Sequence, residues 1–581
     1  MYTGARILIE SLIENGVDTI FGYPGGAVLN IYDELEKNKD RIRHILVSHE
    51  QHASHAADGY ARSTGRTGVC LATSGPGATN LVTGIATAFA DSIPVIAITG
   101  NVGIPLLGKD SFQEVDIAGI TMPVVKHNWI VKDVRSLSQI IHEAFIVALS
   151  GRPGPVLIDI PKDVSSSLCD YNEPHGNGQA FKDRAERLLK RTKQETFSEE
   201  DIEKTADMIN NSGRPLIYAG GGVIHSDAAA ELKKLAEHIN APVALSLMGM
   251  GAFPQEHPLC TGLTGMHGSN ASNKAMQKSD LIIVIGARFS DRVTGSAGKF
   301  AHNAKIIHID IDPAEINKNI YVNAFIAGDI KKALGRLLAD KRLKNKSSGP
   351  LNEWNEEINR WKSAVPRDKP RRKTSADNKN LSPRLIIEKT AKVLGDKAIV
   401  VTDVGQHQIW VAQYYPFKNP RSFLSSGGMG TMGFGMGAAI GAKIANPQAT
   451  VALFTGDGSF RMNCAEMSTL VKYSLPVLII ILNNSALGML RQWQNSFYNS
   501  CYSQTDLENL GPDFIQLAAA YNVSGFRVTD EPELISALGK CAEIIKGGRP
   551  ALIEAVIDKD EKVIPFAPGI HGAHLSFLEK K

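Results

Sequence analysis

Short apolar runs alternate with helix-patterned segments along most of this chain, and that alternation narrows the possible folds more than any other feature. TGVCLATSGPG, ATNLVTGIATAFADS and PVIAITG, between Thr67 and Gly100, read as strand, helix, strand. Near-continuous apolar strands joined by crossover helices belong to parallel α/β sheets, whose strands are buried on both faces. At 581 residues the chain is longer than one core can use. Two polar stretches, about Ser165 to Asp201 and about Lys341 to Pro383, break the alternation and read as linkers. The expected fold class is therefore α/β with three domains, each a parallel sheet flanked by helices, at about residues 1–170, 195–340 and 380–565, followed by a tail at 566–581. The first and third blocks share a similar rhythm.

Composition excludes several classes. Hydrophobic content of 43%, charged content of 21% and a net charge of +3 describe an ordinary globular protein, not a disordered or nucleic-acid-coating one. Six cysteines without CxxC spacing suit reduced thiols in a cytoplasmic setting better than a disulfide or zinc framework. The N-terminal MYTGARILIESLIENGV is patterned as an amphipathic helix without the features of a targeting peptide, and no apolar run reaches membrane-spanning length.

The chemistry-bearing residues sit where strands should end. The run ATVALFT leads into GDGSF at Gly456–Phe460, and the run PVLIIIL leads into Asn483 and Asn484. Ligands of open parallel sheets gather beyond the carboxyl ends of strands. Gly456 and Gly458, with Ser459 beside them, would let a phosphate approach backbone, and Asp457 and the Asn484 amide oxygen suit a hard cation such as Mg²⁺. A single crossover helix is expected between them, from about Arg461 to Tyr473, with an inward stripe of Cys464, Met467, Ser468 and Val471. Taken singly, GDG is a turn and Asn483-Asn484 a strand exit. Upstream, HILVSHEQHASHAADGYARSTG predicts a strand from His44 to Ser48 and a helix opened by Glu50, with a small-residue stripe at Ala53, Ala56, Ala57 and Tyr60. Glu50 alone reads as a helix-start acid. His49, His52 and His55 lack the HExxH pattern and carboxylate partner of a metal site. PLIYAGGGVIHSD, a strand running into Gly220, Gly221 and Gly222, permits close approach of a dinucleotide, although it lacks the GxGxxG pattern.

The GDG and Asn-Asn elements at this separation resemble the diphosphate motif of thiamine-diphosphate (ThDP) enzymes. FGYPGGAVLNIYDEL, SGPGATNLVTGIATAFADSIPV, GRPGPVLIDIPKD, TGMHG, GARFSDRVTG and LGMLRQWQ together resemble the catalytic subunits of the acetohydroxyacid (acetolactate) synthase family along almost the whole chain. That resemblance implies a reaction, a set of cofactors and a role for each matching residue. Pyruvate is decarboxylated on ThDP and the hydroxyethyl unit is joined to a second 2-ketoacid, pyruvate or 2-ketobutyrate, in branched-chain amino-acid biosynthesis. Glu50 is the catalytic acid that tautomerises the aminopyrimidine. In SSGGMGTMGFGMGAAIGAK the Gly430 carbonyl accepts from the pyrimidine amino group and Met432 braces the bent cofactor. Asp457, Asn484 and the Ala486 carbonyl are the metal ligands. Arg292 pairs with the acceptor carboxylate, Trp493 and Met266 shape its pocket, and Phe112, Gln113 and Lys162 line the channel. FAD lies along Arg152, Gly220, Gly221, Gly222, Arg288, Asp310 and Asp329. The first and third domains form each site across a subunit boundary, so a homodimer or homotetramer is implied, sometimes with a small regulatory subunit. The chain departs from the family at Gly103 (commonly proline), Lys109 (commonly threonine), Ser290 (commonly aspartate) and in the loosely matching tail. Another ThDP decarboxylase or oxidase, or a flavin-free catabolic acetolactate synthase, is the alternative.

Overall fold

The computed structural model describes residues 1–171, 197–346, 351–363 and 381–565. Most of the first polar stretch, part of the second and the tail at 566–581 lie outside the described residues.

Three six-stranded sheets, every strand parallel to its neighbours, organise the chain. The first is ordered Arg43–Leu46, Thr19–Gly22, Gly68–Ala72, Val95–Asn101, Val156–Pro161, His127–Ile130. The third runs Phe423–Leu424, Ile399–Thr402, Val451–Gly456, Val477–Asn483, Ala551–Val556, Ser524–Val528. Numbered along the chain, both have the order 2-1-3-4-6-5, so the shared rhythm reflects one topology used twice. The middle sheet runs Cys260–Leu263, Val243–Leu245, Pro215–Ala219, Leu281–Ile285, Lys305–Asp310, Ala324–Ala327, which is 3-2-1-4-5-6, the dinucleotide-binding order. Each sheet reverses direction beside its first strand, and the crevice beyond that switch point is where ligands bind.

The strands are apolar on both faces because helices cover both. One core joins the first and third domains, with Ile45, Ala53, Ala56 and Tyr60 packed with Val401, Phe434, Ile440 and Leu453. A second joins the middle and third domains. Between the first and third domains lies the helix Glu50–Thr64 against the helix Phe434–Ala445, almost every residue of both being buried. Glycine makes that contact possible. A Cβ on Gly441 would stand 1.9 Å from the Ala56 carbonyl oxygen, and one on Gly59 would stand 2.2 Å from that of Ala438.

Two expectations need correction. Instead of one helix from Arg461 to Tyr473 there are Asp457–Phe460, a 3₁₀ turn Cys464–Glu466 and Met467–Lys472. The break falls at Asn463, whose side chain donates to buried Asp403 rather than facing solvent, as Asn favours at turns. Ser468 accordingly leaves the inward stripe and meets Ser48 Oγ at 2.8 Å. The second polar stretch contains the helix Leu351–Ser363, whose Trp354 and Ile358 are buried against the middle domain, with Trp361 packed beside them. Among the described residues, no helix is long and apolar enough to cross a membrane, and all six cysteines are free.

Gly441→Ala should cost about 1–3 kcal/mol by forcing the two helices apart, whereas Gly539→Ala, in the helix Glu531–Lys546 with nothing within 4 Å, should be neutral or stabilising by up to about 1 kcal/mol. Equilibrium denaturation of the two variants compares them directly.

Candidate functional site

Two cavities share a wall at the carboxyl end of the third sheet. The smaller, about 70 Å³, is lined by Gly405, Gln406, His407, Met432, Gly456, Asp457, Gly458, Ser459, Asn484 and Ala486, among others. Apart from Met432, which precedes the helix Phe434–Ala445, these residues leave the first, third and fourth strands of that sheet, which lie side by side, so the switch point brings together segments eighty positions apart. Asp457 is buried and its Oδ2 has no hydrogen-bond partner. Burial pushes its carboxyl up to about 7, against weaker lowering by backbone N–H groups and Arg461. His407 Nε2 is likewise buried without a partner, and burial holds the imidazole neutral, well below its usual range. Asn484 donates to Gln406 Oε1 at 3.2 Å, and its own Oδ1 receives the Ala486 N–H at 3.2 Å. An unpaired carboxylate oxygen on Asp457 and the amide oxygen of Asn484 are hard-oxygen donors on the wall of this cavity, so it fits a divalent cation and an anionic group attached to it.

Gln406 and His407 were not among the residues picked out from the sequence. TDVGQHQ carries no familiar spacing, and only the strand order reveals that it exits beside GDG.

The larger cavity, about 730 Å³, lies between the middle and third domains. Gly221, Gly222 and Arg288 line it from the switch point of the middle sheet, Asp310 and Asp329 from the ends of its fifth and sixth strands, and Arg152 closes it from the first domain. Arg152 donates to Ser92 Oγ at 2.8 Å and to Glu315 Oε1 at 3.0 Å. Gly220 lies outside the lining: a Cβ there would meet the Gly286 carbonyl oxygen at 2.2 Å, so it serves close packing against the loop that leaves the neighbouring strand Leu281–Ile285. Ser290 caps the helix Asp291–Thr294 by accepting from Arg292 N–H, a position aspartate fills equally well. The cavity's size, glycine edge and mixed polar rim fit a dinucleotide. Gly430, Met266, Arg292 and Trp493 line the same cavity, and Arg292 Nη1 lies 3.8 Å from the Met266 sulfur. Val404, Gly405, Met489 and Leu490 line both cavities.

A buried network fixes the loop that carries Gly430. Arg62 binds Asp58 and Asp91 and donates to the Ser425 carbonyl, while Asp91 accepts from Gly427 N–H (3.1 Å) and Gly428 N–H (2.7 Å). Two carboxylates thus share one guanidinium, and burial holds Asp58 above the usual carboxylate range.

Other expected residues lie apart. Glu50 is half-buried at the start of its helix, where Oε2 accepts from Asn80 at 2.9 Å, and it lines neither cavity. Phe112 is 87% exposed, Lys162 is exposed, and Gln113, with a positive φ of 58°, has its backbone against Gly75. The three histidines have separate partners: His49 caps its own helix, His52 pairs with Glu466, and His55 packs on Phe434. Among the described residues, no cluster of three or more His, Cys, Asp or Glu could hold a metal ion.

Comparison with known proteins agrees with this architecture. Residues 2–120, 202–337 and 403–555 match models of the N-terminal, central and C-terminal domains of thiamine pyrophosphate enzymes. The whole chain is 46% identical to the acetolactate synthase large subunit of Cyanidium caldarium, covering 97% of that protein. Identity is 45% to that of Corynebacterium glutamicum, over 97% of this chain and 88% of the relative. A probable acetolactate synthase large subunit of Methanocaldococcus jannaschii is 46% identical over 97% of this chain. The chain belongs to the acetolactate synthase large-subunit family. It is a ThDP enzyme, and the duplicated 2-1-3-4-6-5 sheets are the family's two cofactor-binding domains.

With a folded-state pKa near 7, above the ordinary carboxylate value, Asp457 must release a proton before it can bind a cation. Mg²⁺ affinity measured by calorimetry should therefore be level above that pH and fall as the pH drops through about 7. Asp457→Asn should remove both the binding and its pH dependence.

Proposed function

We propose that this chain is an acetolactate synthase that uses ThDP, Mg²⁺ and FAD to decarboxylate pyruvate and join the product to a second 2-ketoacid, in the biosynthesis of branched-chain amino acids. The observation that carries this reading is the meeting of Arg292, Met266 and Trp493 with Gly430 in one cavity that shares a wall with the Asp457 site. When bound, ThDP would supply a carbon acid and an electron sink for the decarboxylation of a 2-ketoacid.

The protein's share is positioning and proton control. Asp457, Asn484 and the Ala486 carbonyl would hold Mg²⁺, with Gly456, Gly458, Ser459, Gln406 and His407 against the diphosphate. Gly430 and Met432 would fix the cofactor's bend, and Glu50 would hold a proton at the pyrimidine ring. Arg292, 65% exposed by side chain and facing the cavity rim, would receive the acceptor's carboxylate in its planar fork. Trp493 and Met266 would bound the acceptor's alkyl group. FAD would lie along Arg152, Gly221, Gly222, Arg288, Asp310 and Asp329, with Gly220 supporting the turn.

Since Glu50 lines neither cavity, the complete site needs the first domain of a second copy facing the third domain of this one, giving a homodimer or homotetramer. Exposed apolar side chains at Phe112, Met122, Met429, Met462 and Leu490 support such a face, and Phe112, Gln113 and Lys162 would reach the channel from the partner copy. The relatives' printed name, large subunit, supports a small regulatory partner as well. Six free cysteines suit a cytoplasmic location.

Purified chain with ThDP, Mg²⁺ and FAD should convert pyruvate to acetolactate, and pyruvate plus 2-ketobutyrate to acetohydroxybutyrate, as followed by mass spectrometry. Acetate, acetaldehyde or peroxide in place of both would assign the chain to another ThDP activity. Arg292→Ala should lower acceptor kcat/KM roughly 10- to 100-fold, the cost of about 1.5–3 kcal/mol for a charged hydrogen bond, while pyruvate decarboxylation to free two-carbon product persists.

A further inference from the structure

The turn that presents Glu50 is held by a carboxylate from the other end of the chain. Glu466, fully buried in the third domain, accepts through Oε1 from the N–H of Ser48 at 2.8 Å and of His49 at 3.2 Å, with His52 Nδ1 2.9 Å from the same oxygen. Its Oε2 accepts from Thr469 Oγ1 at 2.6 Å. Around this centre, Leu46 N–H donates to Tyr473 Oη at 2.8 Å, and Ser48 Oγ meets Ser468 Oγ at 2.8 Å.

A carboxylate withdrawn from water persists only where donors replace its hydration. Three of the four donors here come from one turn of chain, the two residues entering the helix and His52 in its first turn. Charge-assisted bonds of this kind are short and directional. Glu50 is one peptide bond beyond His49, so a displacement of the turn passes directly into its Cα. Asn80 then fixes only the far end of the side chain.

We propose that Glu466 is a positioning residue for Glu50: the third domain, through this carboxylate, sets the backbone from which the proton-holding group of the first domain projects. The proposal rests on Glu50 holding the proton at the pyrimidine ring. Proton transfer tolerates little misplacement, and an error of about 1 Å costs on the order of 10²-fold in rate.

A double-mutant cycle with Glu50→Gln tests it. Glu466→Ala should lower kcat on the order of 10²-fold with KM for pyruvate little changed, and Glu466→Gln, which keeps an accepting oxygen without the charge, should lose only about tenfold. In the Glu50→Gln background neither change should lower kcat further, because the group being positioned is already gone. In cofactor-free protein, amide exchange at Ser48 and His49 should be about tenfold faster in either variant, while Ala61–Thr64 at the far end of the helix stays protected. Losses that multiply in the Glu50→Gln background, or Ser48 and His49 amides protected as in the parent, would overturn the proposal. If Glu466→Ala does not fold, Glu466→Gln runs the same cycle. Undiminished kcat in Glu50→Gln alone would instead overturn the role of Glu50, a separate failure.

Discussion

Everything about this site depends on two helices touching backbone to backbone. Where Glu50–Thr64 crosses Phe434–Ala445, Gly59 faces Ala438 and Gly441 faces Ala56 with no room for a methyl group on either side. Close approach of this kind lets the apolar faces of the first and third sheets merge into a single core and leaves the two domains no freedom to slide. Polar contacts then settle at fixed places around it: Glu466 on the turn before Glu50, and Asp91 on the glycine loop before Gly430. Both buried carboxylates bind backbone N–H groups of another domain, so each uses its charge to set the position of a loop.

Electrostatics separates supporting charges from reactive ones. Asp91, Asp403 and Glu466 are buried with their donors supplied; Asp403, for instance, accepts from Gly435 N–H, Thr455 Oγ1 and Asn463 Nδ2. Asp457 is equally buried but has one oxygen unpaired, and its carboxyl is correspondingly pushed up to about 7. A buried carboxylate left short of donors is strained toward whatever cation can reach it, and here the nearest open space is the cavity it lines.

Much of the fold was legible because its causes are local. Apolar runs such as VLIIIL have nowhere to go but the interior of a parallel sheet, and helical periodicity marks the crossovers between them. Residues at strand exits, Asp457 and Asn484 among them, could be picked out for the same reason: a polar residue following such a run lies at the carboxyl edge. Less legible was TDVGQHQ, whose Gln406 and His407 enter the Asp457 cavity only because the first and third strands are neighbours, and strand order is set by long-range pairing. Asn463 also broke an expected helix through a side-chain bond to Asp403 sixty positions away. The helix Leu351–Ser363 was absorbed into a polar stretch because its apolar side chains, Trp354, Ile358 and Trp361, are few among charges.

The sequence by itself determined the class of sheet, the places where strands end and the kinds of group standing there, since these depend on side-chain pattern and turn chemistry within a few residues. Only the tertiary structure decided which ends share a cavity, that Met266, Arg292 and Trp493 line the same cavity as Gly430, that Gly220 serves packing rather than the cavity lining, and that the turn before Glu50 is bound by Glu466 from the third domain while Glu50 itself lies apart from the Asp457 cavity. Those outcomes depend on how helices and sheets dock, and docking depends on complementarity of whole surfaces, which no local window of sequence contains.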